Sequence, residues 1–289
     1  MAILKQTTRT MSPKVKNLAV RAVTGVIYVA IMVVSFMRPI ATAFLFALIT
    51  GMAVWEFAGL VNERRGVNIN RFICSAAGVF LSIAMAGFCS GLTTAAIFIP
   101  YLVTIIYLFI SELYLRQEDP INDWAYSMMS QLYIALPLST IYILAYYKGE
   151  FYWLLPLMVF VFLWCNDTGA YLSGSLFGKH KLFPRISPGK SWEGSIGGGI
   201  LVVAVSLLTW SIEPGHASGL NAAQWVGLGL TVVFFGTWGD LVESLLKRTL
   251  GIKDSGNILP GHGGMLDRFD SALLAIPAAV VYIYTLSMI

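Results

Sequence analysis

Charge is what this chain has least of. Asp, Glu, Lys and Arg make up 12% of its 289 residues, while 57% are apolar. Soluble domains carry about 25% charged residues, so an ordinary soluble enzyme and a disordered protein are both excluded. Cysteine is nearly as scarce. Cys74, Cys89 and Cys165 lie within apolar stretches, with no close pair and no metal spacing. That excludes a small disulfide scaffold and leaves ordinary packing as their role. His262 has no second His or Cys at ligand spacing, which argues against zinc. No internal repeat, low-complexity run or soluble domain is visible. The net charge of +4 comes from 19 basic and 15 acidic residues. In so apolar a chain such a balance reports cytoplasmic loops and not nucleic acid.

What is present is long apolar runs, with a mean hydropathy of +0.74. Nine can be read: Ala22–Met37, Ala41–Val61, Phe72–Phe88, Thr94–Leu115, Ser127–Tyr147, Phe151–Leu176, Ser195–Ile212, Trp225–Leu246 and Phe269–Met288. Each is close to the roughly 20 residues that cross a bilayer as helix. They are too long for alternating barrel strands, so the expected class is an all-α polytopic membrane protein. The basic residues then set its orientation. The N-terminal tail and the even-numbered loops hold 17 Lys and Arg, and the odd-numbered loops hold 2. This split predicts nine spans, a cytoplasmic N-terminus and an external C-terminus. The organisation expected is a basic tail (1–21), five spans (22–147) and a catalytic region of four spans with two cytoplasmic loops (148–289). The first span is expected to be a retained anchor although Ala41-Thr42-Ala43 resembles a cleavage site, because a second apolar span begins there.

Ionisable residues within spans are costly and mark functional candidates. In the eighth span Asp240, Glu243, Ser244 and Lys247 stand at i, i+3, i+4 and i+7, one polar stripe on a helix, extended by Arg248. A glycine-rich loop follows, carrying Lys253, Asp254 and His262, and it leads into Asp267, Arg268 and Asp270. Its backbone amides can approach an anion closely. His262 reads as a turn histidine or one touching phosphate. Carboxylates on two neighbouring helix ends, with Lys and Arg between, suit Mg²⁺ bound together with phosphate. A self-neutralised stripe and acidic residues complementing a helix dipole are the competing readings. A second cluster, Gly178 to Gly199, carries Lys179, His180, Lys181, Arg185, Lys190, Ser191, Trp192 and Glu193. It reads as a phosphate-contacting loop or as a basic loop facing lipid. Gly189-Lys190-Ser191 fails as a Walker A loop, because Pro184 stands where its first glycine would fall. Third is Asn166-Asp167, late in the sixth span, where Asp167 is expected to face a polar cavity. Glu56 and Glu112 read as structural slightly ahead of functional.

These residues carry a resemblance. Ser244-Leu245-Leu246-Lys247-Arg248, Lys253-Asp254, Gly256, Leu259-Pro260, His262-Gly263-Gly264-Met265 and Asp267-Arg268-Phe269-Asp270 resemble the signature of the CDP-diacylglycerol synthases, or phosphatidate cytidylyltransferases. The signature is matched without departure over about 27 residues, a far more specific signal than a lone glycine motif. Trp55-Glu56-Phe57, Asn166 to Tyr171 and Ser187 to Gly194 extend it; the N-terminal 20 residues and much of the first half match only in character. The resemblance implies transfer of the cytidylyl group of CTP to phosphatidate, releasing pyrophosphate. It implies Mg²⁺, with a second cation as a further expectation, a homodimer, and a bacterial inner membrane with the site facing the cytoplasm. It implies Asp240, Lys247 and Asp267 as catalytic residues, with Asp240 and Asp267 as metal ligands and Asp167 and Asp270 as further candidates. Lys190, Ser191, Glu193, Ser244, Arg248, Lys253, His262 and Arg268 are the implied substrate contacts. A CTP-dependent lipid-alcohol kinase and a transporter are the other readings; the second lacks a matching charged set at the opposite face.

The orientation is directly testable. A cysteine introduced between Gly178 and Gly194 is expected to resist an impermeant thiol reagent applied to whole cells, and one beside Glu213 to react. The reverse labelling pattern overturns the charge-based topology.

Overall fold

The computed structural model describes residues 13–288 apart from 214, 216, 257 and 259–262, with side chains from residue 23 onward. The apolar runs form helices: α1 (Pro13–Phe36), α2 (Pro39–Val61), α3 (Arg71–Cys89) and α4 (Ile99–Leu115). The fifth run is broken into α5 (Pro120–Met129), a π-helical turn (Ser130–Ala135), α6 (Leu136–Ser139) and α7 (Ile141–Ala145). Then come α8 (Leu154–Phe177), a hairpin of β1 (Lys181–Phe183) and β2 (Ser187–Ser191), α9 (Trp192–Ile212) and α10 (Ala222–Thr249). The short α11 (Leu266–Phe269) leads into α12 (Ala272–Ser287). Among the described residues, eight helical stretches are long and apolar enough to cross a membrane, and Val23–Phe36 of α1 is a shorter ninth. The all-α polytopic class expected from the sequence is what the chain forms.

The departures lie at the helix ends. The fifth span begins at Pro120, not Ser127, because Asp119 caps it by accepting from the Asn122 amide. The seventh begins at Trp192, because Ser191 accepts from the Gly194 amide and so turns loop into first turn. The eighth starts at Ala222 under a capping box between Asn221 and Gln224. Polar caps of this kind extend helices beyond the hydrophobic run.

The core joins both halves. Phe36, Phe46, Phe160 and Phe269, from four different helices, are all fully buried and meet at tilted or edge-on angles. In α8 and α9, small residues bring the backbones together. A Cβ on Gly169 would lie 2.9 Å from the Gly198 Cα, and one on Gly198 would lie 2.4 Å from the Asn166 side-chain oxygen. This close approach is the small-residue mode of helix association in lipid. It brings Asn166-Asp167 beside the start of α9.

At the other ends of these helices Glu213 forms a knot. It accepts from the Tyr152 hydroxyl, the Ser218 amide and hydroxyl (2.5 and 2.8 Å) and the Trp225 indole (3.2 Å). Burial alone would raise this carboxyl, but the hydrogen bonds hold it below the ordinary range. The knot pins the α9 C-terminus to the α10 N-terminus.

The α8–α9 seam yields a stability test. Gly198→Leu forces two backbones apart, an overpacking cost of roughly 1–3 kcal/mol, and is expected to lower the melting temperature in detergent by several degrees. Gly199→Ala, where an added Cβ meets nothing within 4 Å, is expected to be as stable as the parent or more so. Equal melting curves for the two would contradict the seam.

Candidate active site

The glycine-rich loop is folded around one carboxylate. Asp267 Oδ2 accepts from the amides of Ser255 and Gly264, each at 2.8 Å, and Oδ1 accepts from Lys247 Nζ at 2.8 Å. Gly263 makes this possible. Its φ of +81° is left-handed, and a Cβ there would lie 2.6 Å from Asp267 Oδ2. Gly264 is as constrained, since a Cβ would strike the Ser255 hydroxyl and Glu56. Glu56, from the second span, accepts from the Leu266 amide at 2.8 Å and caps the start of α11. This contact is a structural one, while the other carboxylate oxygen, Oε1, is buried without a hydrogen-bond partner.

Lys247 is held twice, by Asp267 and by Glu243 one helical turn back. Glu243 is fully buried. A buried carboxylate is tolerable only with such a partner, so Lys247 neutralises the stripe as well as holding Asp267. Asp240 is engaged on both oxygens, by the Ser244 hydroxyl at 3.2 Å and by Lys190 Nζ at 2.5 Å. The second contact joins the basic cluster to the polar stripe across 50 residues of sequence.

The acidic residues converge on one cavity of about 500 Å³. Its lining combines Asp167, Asp240, Asp267, Asp270 and Arg268 with Tyr28, Val29, Phe160, Leu163 and Trp164. Asp167 and Asp270 each have Asp240 as their strongest charged neighbour. Asp267 and Asp270, three apart, do share the cavity. A second pocket of about 200 Å³ opens from Asp167 toward Asn166, Lys190, Ser191, Ser195 and Thr237.

Other candidates stand elsewhere. Glu193 is turned to the hairpin, accepting from the Lys179 and His180 amides and pairing with the His180 ring at 2.6 Å. Arg248 reaches the carbonyls of Ile186 and Ile252, tying the hairpin to the glycine-rich loop. Lys253 and Asp254 are exposed. His262 lies outside the described residues.

Sequence reasoning missed the contribution of α1. Thr24, Gly25, Tyr28 and Val29 form a wall of the acidic cavity, and the buried Tyr28 hydroxyl has no hydrogen-bond partner of ordinary geometry. Tyr133, on the π turn, likewise has a buried unpaired hydroxyl, within electrostatic reach of Glu243, Asp270 and Asp240. Neither carries a charge, so neither stood out in an apolar run.

Comparison with known proteins now bears on this arrangement. Residues 19–286 match the profile of the cytidylyltransferase family, nearly the whole chain and every residue of the site. The chain belongs to that family. It is 34% identical over 267 residues to a Staphylococcus haemolyticus protein named phosphatidate cytidylyltransferase, covering 89% of this chain and 96% of that one. Proteins of the same name from Staphylococcus aureus and Haemophilus influenzae are 50% and 45% identical over 125 and 132 residues. In those two the matched stretch spans 45% of the relative, so the chain covers just under half their length.

Lys190 and Lys179 separate a site contact from a surface charge. Lys190→Ala is expected to weaken binding of a phosphate-bearing nucleotide about ten- to a hundredfold, the worth of one charge-assisted contact. Lys179→Ala is expected to be mild. Equal small losses would return Lys190 to the role of lipid-facing charge.

Proposed function

We propose that this cytidylyltransferase-family protein is a CTP:phosphatidate cytidylyltransferase of a bacterial inner membrane, acting from the cytoplasmic side as a homodimer. The observation that carries the reading is the cavity, whose lining joins four aspartates and an arginine to apolar and aromatic side chains. Such a site suits a soluble polyphosphate meeting a lipid phosphate. The names of the relatives support the same substrates.

The donor set fits a divalent cation that arrives with phosphate. Among the described residues no three His, Cys, Asp or Glu side chains form a metal cage of their own. Asp167, Asp240 and Asp270 nevertheless line one cavity together with Arg268, and Lys190 pairs with Asp240. Mg²⁺ typically takes one or two carboxylates and completes its shell with phosphate oxygens and water. Asp240 and Asp267 are the proposed holders, with Asp270 and Asp167 beside them; a second cation would draw on the same four. When bound, Mg²⁺ would neutralise the nucleotide phosphates and stabilise the departing pyrophosphate.

The protein's own groups carry the rest. An oxygen of the phosphatidate phosphate attacks the α-phosphorus of CTP, and the bond to the β-phosphate oxygen breaks in line, giving CDP-diacylglycerol and pyrophosphate. The attacking phosphate is already anionic near neutral pH, so no strong general base is needed. The barrier lies in bringing two anions together, which Lys190 and Arg268 oppose by supplying positive charge at fixed positions. Lys247, clamped between Glu243 and Asp267, keeps the glycine-rich loop closed and adds its charge to the same face.

The test is purified protein with CTP, phosphatidate and Mg²⁺, using CTP labelled in the cytidine or in the γ-phosphate. Cytidine label in the lipid is expected; γ-label alone would mean a kinase. Asp240→Asn and Asp267→Asn are each expected to lower kcat/KM about a thousandfold or more, non-additively, because they serve one site. Asp254→Asn, exposed on the loop, is expected to cost far less. Near-normal Mg²⁺-dependent turnover in both Asn variants would move the cation to Asp167.

A further inference from the structure

A second, wholly different hollow lies next to the site. Between α9 and α10 runs a groove of about 690 Å³, walled by Ile196, Ile200, Val203, Leu230 and Phe234 and roofed at the hairpin end by Leu182. Phe183, next along the hairpin, packs edge-on against Trp238 at 5.8 Å and fixes that roof. Gly199 lies along the groove, with nothing within 4 Å of where its Cβ would be. In a bilayer such a groove fills with hydrocarbon, and hydrophobicity alone does not select which lipid provides it, because lipid tails are as apolar as the walls. Selection has to come from the groove's polar end.

That end is specific. Ser195 and Thr237 line both the groove and the 200 Å³ pocket that holds Lys190, Ser191, Asn166 and Asp167. Lys190 Nζ stands 3.4 Å from the Thr237 carbonyl and 2.5 Å from Asp240. A lipid with a chain between α9 and α10 therefore has its headgroup at Lys190, one side chain away from Asp240. A bare phosphomonoester is compact and carries about −1.5 to −2 charge near neutral pH, against about −1 for the phosphodiester of a choline, ethanolamine or glycerol headgroup, so it gains more from Lys190. Asp167 faces the same pocket and repels an anion, which confines the phosphate to the Lys190 side.

We propose that the α9–α10 groove seats one acyl chain of phosphatidate and thereby delivers its phosphate to Lys190. This rests on the phosphatidate reading given above. The groove orients the substrate and contributes little affinity, since the chain leaves one apolar medium for another. Its benefit is alignment at the reacting atoms, where misplacement by about 1 Å can cost a hundredfold.

Two measurements test this. First, Gly199→Phe fills the groove. It is expected to lower kcat/KM for dioleoyl-phosphatidate at least about tenfold more than for dihexanoyl-phosphatidate, whose chains are too short to occupy the groove's length. An equal loss for both would overturn the assignment, as would a loss accompanied by dissociation of a dimer, which would make the groove a contact between two copies of this chain. Second, phosphatidate with a diazirine in one acyl chain is photolysed with wild-type protein in phosphatidylglycerol vesicles. Adducts are expected on residues 192–203 and 230–238, suppressed by unlabelled phosphatidate and not by added phosphatidylglycerol. Equal suppression by both lipids would mean bulk lipid fills the groove, and adducts confined to Tyr28, Val29 and Phe160 would place the chain in the acidic cavity's apolar wall. Either result overturns the proposal. Failure of wild-type protein to make any CDP-lipid would instead sink the phosphatidate reading, and the photolabelling still decides what the groove holds.

Discussion

A carboxylate surrounded by hydrocarbon has to be neutralised by its neighbours, and that demand organises the C-terminal half of this chain. Glu243 is fully buried within α10. It requires Lys247, and Lys247 in turn reaches Asp267, whose second oxygen gathers two loop amides. Ser255 and Gly264, on either side of the loop, are drawn together at Asp267 because the charges beneath them have to be satisfied. Asp240 repeats the pattern with Lys190, drawing the basic hairpin over the same spot. Charge pairing thus provides the long-range fold of the site, while apolar packing holds the helices that carry it.

Much of this was legible in the sequence. The apolar runs gave the helices, and the spacing from Asp240 to Lys247 gave the polar stripe. Asp267, Arg268 and Asp270 announced themselves by standing charged at the mouth of an apolar run. What escaped notice has physical reasons. Helix starts at Pro120, Trp192 and Ala222 depend on single polar caps outside the hydrophobic pattern. The hairpin Lys181–Ser191 is two short strands, below the length at which alternation can be recognised. The π turn at Ser130–Ala135 leaves no periodic trace in so short a segment. Tyr28 and Thr24 looked like ordinary membrane-helix residues, because only the tertiary fold shows which face of α1 meets the cavity.

Glu193 shows a different effect. It belongs to a run of residues, Lys190 to Gly194, that reads as one functional unit. In space the run divides: Lys190 and Ser191 face the pocket, and Glu193 faces the hairpin. The division follows from the change of secondary structure at Ser191, where extended backbone with alternating side chains gives way to a helix with its own rotation. Contiguity in sequence is a poor guide to shared direction wherever a strand runs straight into a helix.

The Glu213 knot lies at the far end of α9 and α10 from Lys190 and Asp240, and it therefore acts as a pivot. With one end of both helices fastened, any relative motion between them is an angular one. From Trp225 to Asp240 α10 provides a lever of about 22 Å, and α9 provides one of about 30 Å, at 1.5 Å per residue. A rotation of about 4° at the knot opens or narrows the distal end by about 2 Å over that length. That is comparable with the difference between an ion pair and a separated one, so a small pivot at the knot is enough to make or break the Lys190–Asp240 contact.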